Sequence, residues 1–169
     1  LSLRDALPSG EGGREPSRLD GTRKQVGVEP LLGIRGHVAQ RLGVALGDSI
    51  YLWNASDGSI QQLMSTTGED SHVTSLSWIP QGNYMAVGTS DHKVQIWDVE
   101  KLKQVRSMDG HRGRVSSLAW NGPMLSSGGR DSTIVHHDVR QQQHKVGSLK
   151  GHTQEVCGLK WSPWGTQLA

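Results

Sequence analysis

The sequence predicts an all-β chain in which a four-strand unit recurs, a partial β-propeller. Three observations lead there. Landmarks return at a fixed interval: the tryptophans closing Val73-x-x-Leu76-x-Trp78, Val115-x-x-Leu118-x-Trp120 and Val156-x-x-Leu159-x-Trp161 lie 42 and 41 residues apart. The residues ending the third strand of each unit, Trp53, Trp97 and His137, lie 44 and 40 apart. Propeller repeats run about 40–45 residues with four strands each. Composition agrees, with 22 Gly, six Trp and no Phe, which suits a turn-rich sheet protein and not a helical bundle. Finally, Gly110–Arg140 holds the parts of one unit in order: Gly-His, an apolar strand, the turn Asn121-Gly122-Pro123, Ser127-Gly-Gly-Arg-Asp131, and a last run through Ile134 to Asp138. That order is the WD-repeat pattern.

Residues 1–41 are expected to be a disordered or unrelated tail. Pro, Gly, Ser and scattered charges, as in Pro8-Ser-Gly-Glu-Gly-Gly13, interrupt every period of 2 or 3.6, so no continuous face can be buried. Pro30-Leu-Leu-Gly-Ile34 is a short apolar island that could pack on the first unit. The repeats then occupy 42–169, in units of about 42–66, 70–108, 110–149 and 151–169. The first shows Val44-Ala-Leu46, the turn Gly47-Asp48, Ile50–Trp53 and Ile60-x-x-Leu63, with its opening strand missing or degenerate. The second reads Val73–Trp78, a turn at Pro80–Asn83, Tyr84–Val87, a turn at Ser90-Asp91-His92, Val94–Asp98 and an outer strand from Val105. The third is Gly110 onward, and the fourth opens at Gly151-His152 with a strand expected over Val156–Trp161.

Charge and cysteine usage exclude several function classes. Eighteen basic against sixteen acidic residues leave a net +2. Seven Lys/Arg oppose five Asp/Glu in the first 41 residues, and the rest balances at eleven each. No basic stripe of the kind that follows nucleic acid appears in the repeats. The one cysteine, Cys157, cannot form an internal disulfide. No apolar run approaches the roughly 20 residues of a membrane span, and no signal-peptide core stands at the start. The expectation is a soluble intracellular protein, with no nucleic-acid or membrane partner and no cofactor.

In the WD-repeat pattern a buried set joins the His of Gly-His, a hydroxyl of the second strand, the Asp of the following turn and the third-strand Trp. The third unit offers His111, Ser127 and Asp131, with His137 where Trp is expected; an imidazole can still donate, over less buried area. The second unit keeps Asp91 and Trp97 but has Val87 for the hydroxyl, so its set is incomplete. His152 opens the fourth unit. The catalytic alternative, a hydrolytic triad of His111, Ser127 and Asp131, competes with this structural role and gives way to it. A zinc set of His136, His137, His144 and Cys157 matches no common spacing, and residues 136 and 137 point to opposite faces of a strand. No catalytic or metal site is expected.

The wording of the repeats is more specific than their period. Val44-Ala-Leu-Gly-Asp-Ser-Ile-Tyr-Leu-Trp53, Gly82-Asn-Tyr-Met-Ala-Val-Gly-Thr89, Val94-Gln-Ile-Trp-Asp98, Leu125-Ser-Ser-Gly128 and Gln154-Glu-Val-Cys-Gly-Leu-Lys-Trp161 resemble the fizzy family, WD-repeat activators of the anaphase-promoting complex, a ubiquitin ligase. His136-His-Asp-Val-Arg140 is similar to its mitotic branch, that of cell-division-cycle protein twenty. The resemblance covers about residues 42–169 and implies a seven-bladed propeller, of which about three blades are present here. It implies a substrate-recruiting adaptor in mitotic protein degradation, acting in nucleus and cytoplasm, with the anaphase-promoting complex and degron-bearing substrates as partners. The other reading is a generic WD-repeat scaffold. The docking box, the lysine-glutamate-asparagine segment and the checkpoint-binding motif of the family do not occur in residues 1–40, and its closing blades are absent from this span. A truncated ring with an exposed strand edge is therefore expected to be marginally stable and prone to aggregate. The destruction-box groove, between first and last blades in the family, would not form; a side groove between the second and third, lined from Val73–Ser107 and Val115–Leu149, would remain.

Overall fold

The computed structural model describes residues 26–30, 41–66, 68, 71–80 and 82–169. Among the described residues, twelve strands fall into three antiparallel four-stranded sheets, each in simple sequential order. The first comprises β1 (Val26–Pro30), β2 (Arg41–Leu46), β3 (Ser49–Asn54) and β4 (Ile60–Ser65). The second comprises β5 (Val73–Trp78), β6 (Tyr84–Thr89), β7 (Val94–Asp98) and β8 (Lys103–Met108). The third comprises β9 (Val115–Asn121), β10 (Met124–Gly129), β11 (Thr133–Asp138) and β12 (Lys145–Lys150). The first strands β1, β5 and β9 stand side by side. The sheets are thus successive blades of a propeller.

Two expectations need correction. The first unit does not lack its opening strand: Val26–Pro30, inside the stretch expected to be a tail, pairs with β2 through Val26↔Ala45, Glu29↔Gly43 and Pro30↔Leu42. Without it β2 would present a row of unpaired N–H and C=O groups, so even five residues find a site there. The rest of the expected tail, including 31–34 of the apolar island, lies outside the described residues. The second correction concerns Val156–Trp161, which is not a strand. Its end forms a single bridge, Trp161↔Leu168, supported by Lys160 N–H to Ala169 O at 2.8 Å and Ser162 N–H to Gln167 O at 2.8 Å.

The core lies between sheets. Ile50, Leu52 and Leu63 of the first sheet meet Val73, Met85 and Val87 of the second in one apolar cluster. Ala86, Val94, Ile96 and Met108 of the second meet Val115, Leu118, Trp120 and Leu125 of the third in another. Successive side chains of a strand point to opposite faces, so β6, with Met85 and Val87 on one face and Ala86 on the other, is buried on both. This is why Tyr84-Met-Ala-Val87 is a continuous apolar run and not an alternating one.

Polar contacts at the inner strands set how the sheets sit against each other. Thr74 Oγ1 and Ser75 Oγ both donate to the carbonyl of Val115, at 2.6 and 2.8 Å. One repeat later Ser116 Oγ and Ser117 Oγ both donate to the carbonyl of Val156, at 2.9 and 2.8 Å. Each clamp leaves no room beside it. A Cβ on Gly88 would overlap Ser75 Oγ and approach Val115 O to 2.8 Å; on Gly128 it would overlap Ser117 Oγ and approach Val156 Cγ1 to 2.7 Å. Gly88→Ala and Gly128→Ala should therefore each destabilise the chain by about 1–3 kcal/mol through overpacking. Gly151→Ala, where nothing lies within 4 Å, should change little. Urea midpoints of the three variants check this, and equal midpoints would refute the clamp.

Candidate functional site

The third sheet gathers the polar residues singled out in its repeat. His111 precedes β9, Ser127 lies within β10, Asp131 is in the turn after it, and His137 is in β11. That turn admits Ser132 at a φ of 62°, in the left-handed region, which swings the Asp131 carboxylate back beneath His111. His111 Nδ1 is 3.2 Å from Asp131 Oδ1, and His111 Nε2 is 2.8 Å from Ser127 Oγ. Ser127 Oγ is 2.9 Å from His137 Nε2. Asp131 also accepts from Arg112 N–H at 2.7 Å, Thr133 N–H at 3.1 Å and Thr133 Oγ1 at 2.7 Å. Burial raises the Asp131 carboxyl pKa, but the bonds from Thr133, Arg112 N–H and His111 outweigh it and hold the group at about 2.

The chain of contacts extends one residue further than the repeat pattern: His137 Nδ1 is 2.9 Å from His144 Nδ1. Its hydrogen directions follow from one end. An ionised Asp131 can only accept, so His111 carries its proton on Nδ1 and, when neutral, accepts at Nε2 from the Ser127 hydroxyl. The Ser127 oxygen then accepts from His137 Nε2–H. His137 is fully buried; that desolvation, with the charge of His144 next, pushes its pKa down to about 3. It is neutral, so its Nδ1 accepts from His144 Nδ1–H. An indole at 137 would end this relay, because it donates and cannot accept.

Elsewhere the residues do not converge in this way. Asp91 accepts from Ser71 Oγ at 3.3 Å, while Trp97 gives its indole N–H to Gln95 Oε1 at 2.9 Å. With Val87 in the hydroxyl's place, no hydroxyl of the second strand stands between the two as Ser127 does in the third blade. His152 is exposed on the surface. His136, on the face opposite His137, has its Nδ1 2.8 Å from Ser126 Oγ, and Ser126 Oγ accepts from Trp161 Nε1–H at 3.1 Å. Asp138 caps the following turn, accepting from Arg140 N–H at 3.1 Å and pairing with its guanidinium at 2.9 Å. That partner holds the Asp138 carboxyl well below the usual range.

Sequence reasoning weighed His144 only as a zinc ligand and missed its contact with His137, and it missed Gln95 and the hydroxyl clamps. The clamps had a visible signal, the Thr-Ser and Ser-Ser pairs inside Val-x-x-Leu-x-Trp. The His137–His144 contact had none, since it depends on the irregular register between β11 and β12 at His136 and His137. Chemically the set is a hydrogen-bonded brace between a loop, two strands and a turn, and its nucleophile-like Ser127 is fully buried.

The brace predicts an acid-labile fold. For His137 the folded pKa lies below the ordinary 6.5, so the unfolded chain takes up protons first as pH falls. Its contribution is intact above about pH 6.5 and is lost between there and about 3, at up to roughly 1.4 kcal/mol per pH unit. His136 and His144, also lowered by burial, act in the same direction. Asp131, held at about 2 against 3.8, adds a further loss below about pH 4. Urea midpoints at pH 7.5, 6.0 and 5.0 should fall steadily in the parent, and His137→Trp should flatten that slope. An unchanged slope in the variant would rule out His137 as its source.

Comparison with known proteins places this geometry. The family described as the anaphase-promoting complex subunit 4 WD40 domain matches residues 48–123, and the WD domain, G-beta repeat, matches 143–169. The chain is 52% identical over 128 residues to the Dictyostelium discoideum anaphase-promoting complex subunit cdc20, covering 76% of this chain and 26% of that protein. It is 49% identical over 128 residues to the Medicago truncatula B-type cell cycle switch protein ccs52A, covering 76% and 27%. It therefore spans about a quarter of the length of these relatives. Among solved structures, a chain of the crystal structure of the mitotic checkpoint complex superposes with a TM-score of 0.73 at 35% identity, over 99% of this chain and 55% of the other. With its blades in sequential order and these relatives across its repeats, the chain belongs to the fizzy family of WD-repeat anaphase-promoting complex activators.

Proposed function

We propose that the chain serves as part of a substrate-recruiting adaptor that activates the anaphase-promoting complex in mitotic protein degradation. The observation that carries this is the 52% identity, across 128 residues, to a protein named as a subunit of that complex. The architecture supports a binding role. His111, Ser127 and Asp131 are engaged with one another inside a blade, which favours a non-catalytic adaptor over an enzyme. His136-His-Asp-Val-Arg140 favours the mitotic branch. The expected partners are the ubiquitin ligase and degron-bearing substrates, and the expected place of action is the nucleus and cytoplasm. Because these blades are a fraction of the related proteins, the contribution assigned to them is the groove between the second and third sheets.

The test is direct. The tagged chain should bind synthetic peptides of the degron class that uses this groove with affinity better than millimolar, and should recover the anaphase-promoting complex when joined to the remaining repeats of a relative. A generic WD-repeat scaffold would recover no ligase, and failure of both measurements would sink the proposal.

A further inference from the structure

A second surface of the same two sheets has a different chemistry. At the loop ends of the strands a cleft of about 450 Å³ opens between the second and third sheets. Its walls come from the segment before β5 (His72), the β6–β7 turn (His92), the segment before β9 (Arg112, Arg114) and the β10–β11 turn (Arg130, Asp131). Three arginines thus line one opening.

Their state matters more than their number. Arg114 is already committed, bidentate to Glu155 with both contacts at 2.7 Å. Arg112 and Arg130 are exposed, and among the described residues their guanidiniums enter no ion pair. Neither nearby carboxylate serves them: Glu155, whose pKa the charge of Arg130 helps to lower, is already paired with Arg114, and Asp131 is engaged elsewhere. Asp131 already accepts from His111, from Arg112 N–H and twice from Thr133. Its charge stays on the internal brace, and two planar donor forks are left facing solvent at the mouth of a concave site. Gly113 lies between them in the lining, and a Cβ there would meet Arg130 Cβ at 3.1 Å, so the two loops carrying the forks pack closely together.

We propose that this cleft binds a phosphoryl group carried on a peptide, a phosphoserine or phosphothreonine in an extended segment. Two guanidinium forks match a tetrahedral dianion, whose three terminal oxygens accept from both, better than a carboxylate with two oxygens. Exposed guanidiniums from separate loops of a rigid scaffold are the usual arrangement of phosphopeptide recognition. Nucleic acid is disfavoured because the charge is confined to one opening; across the repeats Lys/Arg and Asp/Glu balance at eleven each, where a strand-tracking surface needs an extended basic groove. The inference does not depend on the adaptor role, since it concerns only the junction of two sheets.

Four probes decide it, each titrated against the whole chain by fluorescence anisotropy or isotope-edited NMR. They are a short neutral peptide with one phosphothreonine, its unphosphorylated form, its glutamate form and a single-stranded oligothymidylate. The phosphopeptide should bind at least tenfold more tightly than the unphosphorylated and glutamate forms, inorganic phosphate should displace it, and added salt should weaken it. Arg112→Gln and Arg130→Gln should each cost about tenfold, the loss expected for one charge-assisted contact, with an unchanged far-UV circular dichroism spectrum. Arg140→Gln, whose guanidinium pairs with Asp138, should leave binding unaltered. Equal binding of phosphorylated and unphosphorylated peptides would overturn the proposal. So would phosphopeptide binding indifferent to both variants, or an oligonucleotide that binds more tightly and loses affinity in them. Degron-peptide binding can fail while this result stands, so the two proposals are separable.

Discussion

The clamp of two hydroxyls on one carbonyl is the contact from which the arrangement of the blades follows. Thr74 with Ser75, and Ser116 with Ser117, each hold the valine carbonyl that starts the next blade's inner strand or its equivalent. Apolar packing between sheets is strong but non-directional, and two twisted sheets could slide along one another at small cost. A buried hydroxyl–carbonyl bond contributes only about 1 kcal/mol net, yet an unmatched hydroxyl or carbonyl there costs more. The clamp therefore selects one register out of several that the core would tolerate. Gly88 and Gly128 follow from it, because only a residue without Cβ can pass behind the paired hydroxyls.

The histidine relay shows how the repeat pattern tolerates a substitution. Where the WD pattern has an indole that terminates the hydrogen-bond chain, His137 has an imidazole with an unused acceptor buried at zero exposure. A buried polar atom without a partner is costly, and His144 supplies one at 2.9 Å. Replacement of one aromatic ring by another has thus drawn a second residue into the structure. The second blade departs differently: with Val87 in place of a hydroxyl, Trp97 turns to Gln95 on its own strand.

Much of this was legible in the residues. The four-strand unit follows from the interval between landmarks, and the third blade's brace follows from matching His111, Ser127, Asp131 and His137 to a known pattern. What escaped did so for identifiable reasons. Val26–Pro30 has no repeat landmark and joins the first sheet because an edge was open to it. Val156–Trp161 has the full strand signature, but among the described residues it forms a single bridge at its end, Trp161↔Leu168, and a strand exists only against a neighbour. His144 depends on an irregular register that no residue type announces. The cationic cleft combines side chains from four segments and two sheets, and no linear pattern brings Arg112 beside Arg130.

The clamp also has a direction. In both joints the clamping hydroxyls belong to the earlier blade and the carbonyl to the later segment, while the indole N–H of Trp120 crosses the other way to Ser77 O at 3.2 Å. Each clamp thus makes the earlier blade the donor and the later segment the acceptor at its inner strand. The polarity of the polypeptide is in this way written into the circumference of the propeller.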